Sequence, residues 1–272
     1  MNRPSRLVLL GDPVSHSLSP VFQNAALKHA EIPVVYEPMR VDAGELPGKL
    51  RDLKKANAAG NVTVPHKLAA YREVDRATII AVRVGAINTF WVDDGLLHGD
   101  NTDVEGFTRA IVQLIGRQPE GARVVVFGAG GAAGAVLAAL EHWVGASALI
   151  ISRDPVRAAN ILARFGDVAR VETDMRHALS EATLVVNATP IGQRDDSQPC
   201  DVSLISPRAA VMDLVYRVGE TPWVNAAKKR GLVAADGLPM LVEQGALSFQ
   251  RWFGTEPNRE VMQRSLTPEQ TA

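Results

Sequence analysis

The sequence has one cysteine and almost no net charge, and each of these features excludes some classes of protein. Cys200 is the single cysteine, so an internal disulfide is excluded and a reducing compartment, the cytoplasm, is expected. A formal net charge of −1 provides no electrostatic attraction to nucleic acid or to an anionic membrane. The histidines of the first hundred residues are spread out and lack metal-ligand spacing, so no metal site is expected.

A membrane span is not expected either. The stretch VVVFGAGGAAGAVLAAL, Val124 to Leu140, has no charge over 17 residues, but that length is marginal for a transmembrane helix and it includes four glycines. A buried strand, a glycine turn and a buried helix explain it better. The expected partner is therefore a small molecule, and the sequence does not distinguish a monomer from a homodimer.

The apolar content predicts a globular α/β protein of two domains. Hydrophobic residues make up 46% and charged residues 22% of 272 residues. From Arg123 onward a strand, a turn and a helix repeat, which predicts a parallel sheet with helices on both faces. The polar tail SLTPEQTA is expected to fray. Predicted strands are Arg6–Gly11, Val34–Val41, Gly60–Val64, Ala86–Val92, Leu96–His98 (a hairpin turning at Asp94-Gly95), Arg123–Phe127, Ala148–Ser152, Leu184–Asn187 and Ala210–Asp213; predicted helices include Ser19–Ala30, Glu45–Asn57, Asp103–Ile115 and Pro239–Phe253.

A glycine turn after the first of the repeated strands indicates dinucleotide binding. Gly128, Gly130 and Ala133 follow the pattern G-x-G-x-x-A between a predicted strand and a predicted helix. Gly128 permits a tight turn, Gly130 allows a pyrophosphate close to the main chain, and Ala133 lets the helix lie near the strand. The free N–H groups at the start of the helix would bind the phosphates.

The end of the following strand favours NADP and leaves NAD open. In ISRDP, Arg153 can form a bidentate pair with a 2′-phosphate, and Ser152 can hydrogen-bond to it. Asp154 either caps the helix that starts at Pro155 or accepts a hydrogen bond from an unphosphorylated ribose.

The stretch GNVTVPHK combines a short strand with a lysine at its tip. Val62 and Val64 alternate with polar residues, which predicts one buried face, and Pro65 ends the strand because it has no backbone donor. Small polar groups recur at the ends of other predicted elements in this half of the chain. Such a set of hydroxyls, amides, one cation and one carboxylate suits a small polyhydroxylated acid. Its members are Ser17, Ser19, Asn61, Thr63, Lys67, Asn88 and Asp103, of which Asp103 is also expected to cap a helix.

These segments, in this order, resemble the shikimate dehydrogenase family, which reduces 3-dehydroshikimate to shikimate with NADPH in aromatic amino-acid biosynthesis. The resemblance covers nearly the whole chain. It implies a substrate-binding domain at 1–104, completed by 238–272, an inserted Rossmann-type NADP-binding domain at 105–237, and a cleft between them. The motifs that carry it are SHSLSP, GNVTVPHK, GAINTF, GDNTDVEGF, VFGAGGAA, NATPIG, DLVY and GLPMLVEQG.

The resemblance also implies residue roles. Lys67 would donate the proton to the reduced carbonyl and accept it in the reverse reaction, with Asp103 as its orienting partner. The implied substrate contacts are Ser17, Ser19, Thr63, Asn88, Tyr216 and Gln244. The implied cofactor contacts are Gly128, Ala129, Gly130, Gly131, Ala132, Ser152, Arg153, Asp154, Leu214 and Gly237.

Two positions depart from the family pattern, and three other functions remain as alternatives. Ser152-Arg153-Asp154 replaces the common Asn-Arg-Thr, which questions strict NADP preference, and Pro239 stands where glycine is common. The first alternative is an NAD-dependent quinate/shikimate dehydrogenase. The second is a methylene-tetrahydrofolate dehydrogenase, which would need a folate-binding set in place of SHSLSP and GDNTD. The third is a dinucleotide-binding regulator without catalysis.

Overall fold

The chain forms two compact units in a computed structural model that describes residues 3–217 and 219–266. One unit comprises Met1–Gly106 and Leu241–Ala272, and the other comprises Phe107–Met240. Residues 267–272 of the tail expected to fray lie outside the described residues. The assignment of substrate and cofactor binding to 1–104 with 238–272 and to 105–237 stays a prediction.

The described residues form twelve strands and eleven α-helices, which alternate along most of the chain. The strands are β1 Leu7–Gly11, β2 Tyr36–Arg40, β3 Ala59–Val62, β4 Arg76–Ala77, β5 Thr89–Asp93, β6 Leu96–Asp100, β7 Arg123–Phe127, β8 Ser147–Ile151, β9 Ala169–Val171, β10 Leu184–Asn187, β11 Ala210–Asp213 and β12 Ala234–Ala235. The helices are α1 Ser19–His29, α2 Leu46–Lys55, α3 Lys67–Tyr71, α4 Ile79–Val84, α5 Asp103–Ile115, α6 Gly131–Leu140, α7 Pro155–Phe165, α8 Met175–Glu181, α9 Pro222–Lys229, α10 Leu238–Phe253 and α11 Arg259–Arg264.

The first unit contains a mixed sheet in the order β2-β1-β3-β5-β6-β4. β1 runs parallel to β2 and β3, whereas β3–β5 and β5–β6 are antiparallel. The predicted hairpin turn is confirmed, because Asp94 and Gly95 have φ angles of 50° and 71°, the left-handed pair that a tight two-residue turn requires. Apolar residues of β1 and β3 are buried on both faces, between α1 and α10 on one side and α2 on the other.

The strand in the GNVTVPHK stretch is shorter than predicted. β3 ends at Val62, and a turn follows in which the N–H of His66 donates to the carbonyl of Thr63 at 2.9 Å. Val64 lies in this turn and is 68% exposed, whereas Asn61 is buried. The predicted burial of Val64 is therefore wrong, because β3 is a central strand with all four residues buried and the chain turns away after Val62.

The second unit is a fully parallel sheet in the order β12-β11-β10-β7-β8-β9, as predicted. The chain passes from β7 outward to β9 and then returns to start β10 on the other side of β7. The sheet therefore has its topological switch point between β7 and β10, where open α/β sheets bind their ligands beyond the carboxyl ends of the strands.

The uncharged stretch from Val124 to Leu140 forms β7, a glycine turn and α6, as the sequence predicts. Its residues Ala133 to Leu140 are all buried. The other face of the sheet packs against α8 and α9 through an apolar cluster that contains Phe127, Trp223 and Cys200. No helix among the described residues is long and apolar enough to cross a membrane.

Candidate active site

Lys67 and Asp103 form a close ion pair in the first unit. Lys67 is the first residue of α3 and Asp103 is the first residue of α5. The ammonium Nζ donates to Asp103 Oδ2 at 2.6 Å, and the side chains are 25% and 9% exposed. The lysine head is thus held in one place while part of its side chain remains open to solvent and to a ligand.

The turn before Lys67 is fixed by His66. The imidazole is buried, and its Nε2 lies 2.6 Å from the carbonyl oxygen of Val41, so Nε2 carries the hydrogen and donates it. The sequence does not reveal this partner, because Val41 lies 25 residues earlier in the chain. The contact sets where α3 begins and therefore where the Lys67 side chain starts.

Asn88 joins the ion pair to the last long helix. Its Nδ2 lies 2.8 Å from Asp103 Oδ1, 2.9 Å from Thr102 Oγ1 and 3.2 Å from Gln244 Oε1 on α10. Its own Oδ1 accepts from the N–H of Thr102 at 2.8 Å. An amide has two hydrogens and here meets three acceptors, so one acceptor is left able to bind another donor, such as a substrate hydroxyl.

The helix-cap role expected for Asp103 is wrong. The residue is already helical, and its two carboxylate oxygens accept from Lys67 and Asn88. The physical reason is that two side-chain donors, the partly buried Lys67 ammonium and the buried Asn88 amide, take up these oxygens, and charge-assisted hydrogen bonds are the stronger ones.

Four further polar side chains continue this network, and the sequence analysis named one of them, Asn61, as a member of the polar set. Thr102 Oγ1 donates to the carbonyl of Gln244 at 2.9 Å and lies 3.1 Å from Ser248 Oγ. Asn61 Nδ2 donates to Ser248 Oγ at 2.9 Å, and the Tyr36 hydroxyl donates to Asn61 Oδ1 at 2.9 Å. Only Asn61 carried a signal in the sequence, as a polar residue within an apolar strand.

Ser17, Ser19 and Thr63 make local contacts in the same unit. Ser17 Oγ accepts from the N–H of Ser19 at 3.2 Å, and Ser19 begins α1 as predicted. The methyl of Thr63 lies against Gly11, where an added Cβ would collide with it. Their contact with a substrate stays a prediction.

The glycine turn of the second unit has the geometry of a phosphate cradle. Gly128 has a φ of 106°, in the left-handed region, directly after β7. A Cβ added at Gly130 or Gly131 would meet no atom within 4 Å, so the main chain there is open to a close ligand. Ala129 is half-buried and Ala132 exposed, whereas Ala133 is fully buried against the sheet. These residues fit a dinucleotide pyrophosphate at the N-terminus of α6.

Asp154 is engaged by its own helix. Its Oδ1 accepts from the N–H groups of Val156 and Arg157, both at 3.0 Å, so it is the N-cap of α7. Its Oδ2 pairs with Arg157 Nε at 3.2 Å. The Ser152 hydroxyl accepts from the N–H of Asp154 at 3.2 Å, while Arg153 is exposed and makes no hydrogen bond or ion pair with the described residues.

The segments of Leu214, Tyr216 and Gly237 lie close together in the second unit. The N–H of Gly237 donates to the carbonyl of Val215 at 2.9 Å, and a Cβ at Gly237 would collide with the carbonyl of Leu214. Tyr216 is half-buried and is held by an interaction with another group of the protein. Only glycine lets these two segments approach so closely. Pro239, the second departure from the pattern, is the second residue of α10 and does not prevent the helix from starting at Leu238.

Asp236, next to Gly237, is a buried carboxylic acid that sequence reasoning did not single out. It is 8% exposed, and its Oδ1 accepts from the N–H of Leu238 at 3.0 Å. Burial raises the pKa of Asp236 to about 6, and the negative charges of Glu220 and Asp213 act in the same direction.

A parallel sheet with an open glycine turn at its switch point, in a chain that also pairs a lysine with an aspartate, is typical of a nicotinamide-dependent dehydrogenase. A family model described as the shikimate dehydrogenase substrate binding domain matches residues 9–90. A model described as the shikimate 5'-dehydrogenase C-terminal domain matches residues 237–267. The chain belongs to the shikimate dehydrogenase family.

Individual relatives cover almost the full chain. Shikimate dehydrogenase (NADP(+)) of Methylocella silvestris is 40% identical over 271 residues, which span 97% of this chain and 93% of that protein. The crystal structure of Thermus thermophilus shikimate 5-dehydrogenase with NADP(H) and shikimate has a TM-score of 0.87 at 36% identity, covering 96% of this chain and 97% of that one. Quinate dehydrogenase from Corynebacterium glutamicum in complex with NAD has a TM-score of 0.89 at 26% identity, covering 97% and 99% of the two chains.

Replacing Asp236 with Asn should stabilise the protein in a pH-dependent manner. The folded state binds the proton more tightly than the unfolded chain, whose carboxyl has a pKa of 3.8, so the contribution of Asp236 is fully favourable below that pH and is lost as pH rises towards 6. Above that window the buried charge costs up to about 3 kcal/mol, a cost that a neutral amide avoids while it still accepts from Leu238.

Thermal unfolding of the wild type and of Asp236→Asn across this pH range measures the effect. The variant should melt higher at neutral pH, and the two curves should converge in acid. A difference that does not change with pH would contradict the assignment.

Proposed function

We propose that this protein catalyses the reversible NADPH-dependent reduction of 3-dehydroshikimate to shikimate, a step of aromatic amino-acid biosynthesis. The observation that carries the proposal is the 2.6 Å pair of Lys67 Nζ and Asp103 Oδ2, set in a network of amides and hydroxyls. Membership of the shikimate dehydrogenase family, with relatives that are named for NADP(+) and cover almost the full chain, supports the substrate and the cofactor.

Lys67 is proposed as the proton donor in reduction and the proton acceptor in oxidation. When bound, the nicotinamide supplies the hydride, and the carbonyl oxygen of the substrate then needs a proton from a group within hydrogen-bond reach. The Lys67 ammonium is the charged donor in this network. Asp103 restricts its rotation but accepts only one of its N–H groups, so the others can donate to a ligand. The incoming oxygen would be the acceptor of a further ammonium hydrogen.

The amides and hydroxyls around the pair are proposed to bind the substrate. Asn88 Nδ2 contacts both Asp103 Oδ1 and Gln244 Oε1, so an amide donor and two oxygen acceptors lie side by side. Such a set suits vicinal ring hydroxyls, which both donate and accept hydrogen bonds. Ser17, Ser19, Thr63 and Tyr216 remain proposed as further substrate contacts. A buried site of this kind discriminates strongly against ligands that lack the matching hydroxyls, because its polar groups would then be left unpaired.

The cofactor is proposed to lie along the carboxyl edge of the second sheet. The turn from Gly128 to Ala132 would hold the pyrophosphate, and Leu214 and Gly237 would lie near the nicotinamide. Asp154 accepts hydrogen bonds from Val156 and Arg157, so its charge is partly compensated, whereas Arg153 has no hydrogen bond or ion pair with any residue that the structure describes. This arrangement favours a 2′-phosphate on Arg153 and Ser152, hence NADP over NAD.

Two further points are part of the proposal. Cys200 is buried and burial raises the pKa of its thiol to about 12, which makes it an inert residue consistent with a cytoplasmic location. The oligomeric state, monomer or homodimer, is a prediction from the sequence alone.

The proposed function is tested by oxidation kinetics with two substrates and two cofactors. Shikimate with NADP should give the highest kcat/KM of the four combinations. Faster turnover of quinate with NAD would favour the quinate/shikimate dehydrogenase alternative, and binding of NADPH without turnover of either substrate would favour a regulator.

Lys67→Ala should lower kcat by about a hundredfold or more, the usual size of a lost general acid, with a smaller change in KM. The matched control is Lys54→Ala, because Lys54 Nζ also pairs with an aspartate, Asp75, at 2.8 Å, but at the surface. The control should keep wild-type kinetics. A near-normal kcat in Lys67→Ala would remove this lysine from the chemistry.

Arg153→Ala should raise KM for NADP by about tenfold or more and leave KM for NAD nearly unchanged, because only NADP has the 2′-phosphate. Arg208→Ala is the control, since Arg208 is an exposed arginine that precedes β11 at the amino end of the sheet. Equal changes for the two cofactors would refute the role of Arg153.

A further inference from the structure

We propose that Asp213, a fully buried carboxylate at the end of β11, is a positioning residue for the nicotinamide cofactor. Asp213 takes no part in the proposed proton transfer, and the sequence analysis did not assign it to the site. Its exposed fraction is 0%, and it is the last residue of its strand, at the carboxyl edge of the parallel sheet. The inference rests on the proposed use of a dinucleotide by this unit.

The carboxylate accepts three hydrogen bonds from three different segments. Oδ1 accepts from Asn187 Nδ2 at 2.9 Å and from the N–H of Val215 at 3.1 Å, and Oδ2 accepts from the Thr221 hydroxyl at 2.8 Å. Asn187 ends β10 and is the register partner of Asp213, whereas Thr221 is the N-cap of α9. One side chain thus connects two strand ends and a helix start.

Through Asn187 the network reaches the glycine turn. Asn187 Oδ1 accepts from both the N–H and the hydroxyl of Thr189, at 3.0 and 2.6 Å, and its Nδ2 also donates to the carbonyl of Ile191 at 3.1 Å. The Thr189 methyl and the Ala188 carbonyl lie where a Cβ at Gly128 would be, so this loop is the wall of the turn. The two loops face each other at the switch point between β7 and β10.

Through Val215 the network reaches the second cofactor segment. The N–H of Val215 is bound by Asp213, and its carbonyl accepts from the N–H of Gly237 at 2.9 Å. Leu214, between Asp213 and Val215, packs so closely on Gly237 that a Cβ there would collide with its carbonyl. Asp213 therefore fixes both the segment proposed to lie beside the nicotinamide and the wall of the pyrophosphate turn.

A carboxylate is the side chain that best satisfies the donors at this position. Three donors converge on it, and a carboxylate can accept from all of them, whereas an amide has one accepting oxygen and turns an NH₂ group towards the third. With Asn at this position, Oδ1 would keep Asn187 and Val215, and the Thr221 hydroxyl could rotate to accept. The amide variant should therefore fold, but with neutral hydrogen bonds in place of charge-assisted ones.

Asp213→Asn tests the inference by direct binding of NADPH, followed by fluorescence of the nicotinamide in the absence of any substrate. The variant should bind NADPH about tenfold more weakly than the wild type, because loss of charge-assisted hydrogen bonds loosens both cofactor segments. In turnover assays KM for NADP should rise by a similar factor, while KM for shikimate stays within about twofold of wild type.

Two comparisons separate positioning from a general loss of structure. Asp201→Asn is the matched control, because Asp201 also accepts a backbone N–H, from Ser203 at 2.8 Å, but is exposed, and it should bind NADPH like the wild type. Thr221→Val removes the hydrogen bond to Asp213, together with the cap bond that Thr221 accepts from the N–H of Val224, and should weaken NADPH binding, whereas Thr221→Ser keeps both bonds and should not. This pair carries the test should Asp213→Asn fail to fold.

Unchanged affinity for NADPH in Asp213→Asn and Thr221→Val would overturn the inference. So would a lower melting temperature together with equal rises in KM for shikimate and NADP, which is the pattern of a merely structural residue. A wild-type protein that binds NADPH but does not oxidise shikimate would refute the proposed function and leave this binding comparison intact.

Discussion

The first unit depends on one constraint, the requirement that a partly buried ammonium keep a carboxylate within hydrogen-bond distance. Removal of Lys67 would leave the Asp103 carboxylate, which is 9% exposed, without its charged partner, and its remaining side-chain donor would be the neutral amide of Asn88. The surrounding polar groups follow from this pair. Asn88 donates to the second oxygen of Asp103. The same amide group also contacts Gln244 and Thr102. His66 fixes the turn from which Lys67 starts. The network joins four sequence segments, so the geometry of the amine depends on the fold of the whole unit.

The second unit is subject to a different constraint, because the dinucleotide has to come close to its main chain. Glycines at 128, 130 and 131 leave the backbone accessible, and Gly237 allows two loops to touch. Because glycines have no side chains, the loops that contain them lack side-chain packing. The positions of these loops therefore have to be set by groups buried beneath them. A buried carboxylate with three donors, Asp213, supplies that support where β10 and β11 end. The site thus combines a permissive surface with a rigid polar layer beneath it.

Local sequence patterns predicted the elements well where one face or both faces are regularly apolar. β7, β10, β11 and α5 begin and end as expected, and the type of sheet in the second unit follows from alternation of strands and helices. Short elements without periodicity, α3 and α4, were not predicted. The predicted burial of Val64 was wrong because alternation implies a strand with one buried face, whereas β3 is buried on both faces and ends before that residue. Asp103 was wrong as a cap because two distant donors compete for its oxygens.

The sequence alone determined which chemistry the protein has available: a glycine turn between a strand and a helix, an arginine after the next strand, and a lysine and an aspartate among small polar residues. These features are local, since each depends on residues within a few positions of one another. Tertiary structure alone decided which of those groups meet. Contacts between Lys67 and Asp103, between Asn88 and Gln244, and between Asn187 and Asp213 join residues that are 26 to 156 positions apart, and no periodicity encodes such pairs. They exist because buried polar atoms are stabilised by hydrogen-bond partners, and only the folded chain determines which partner is within reach.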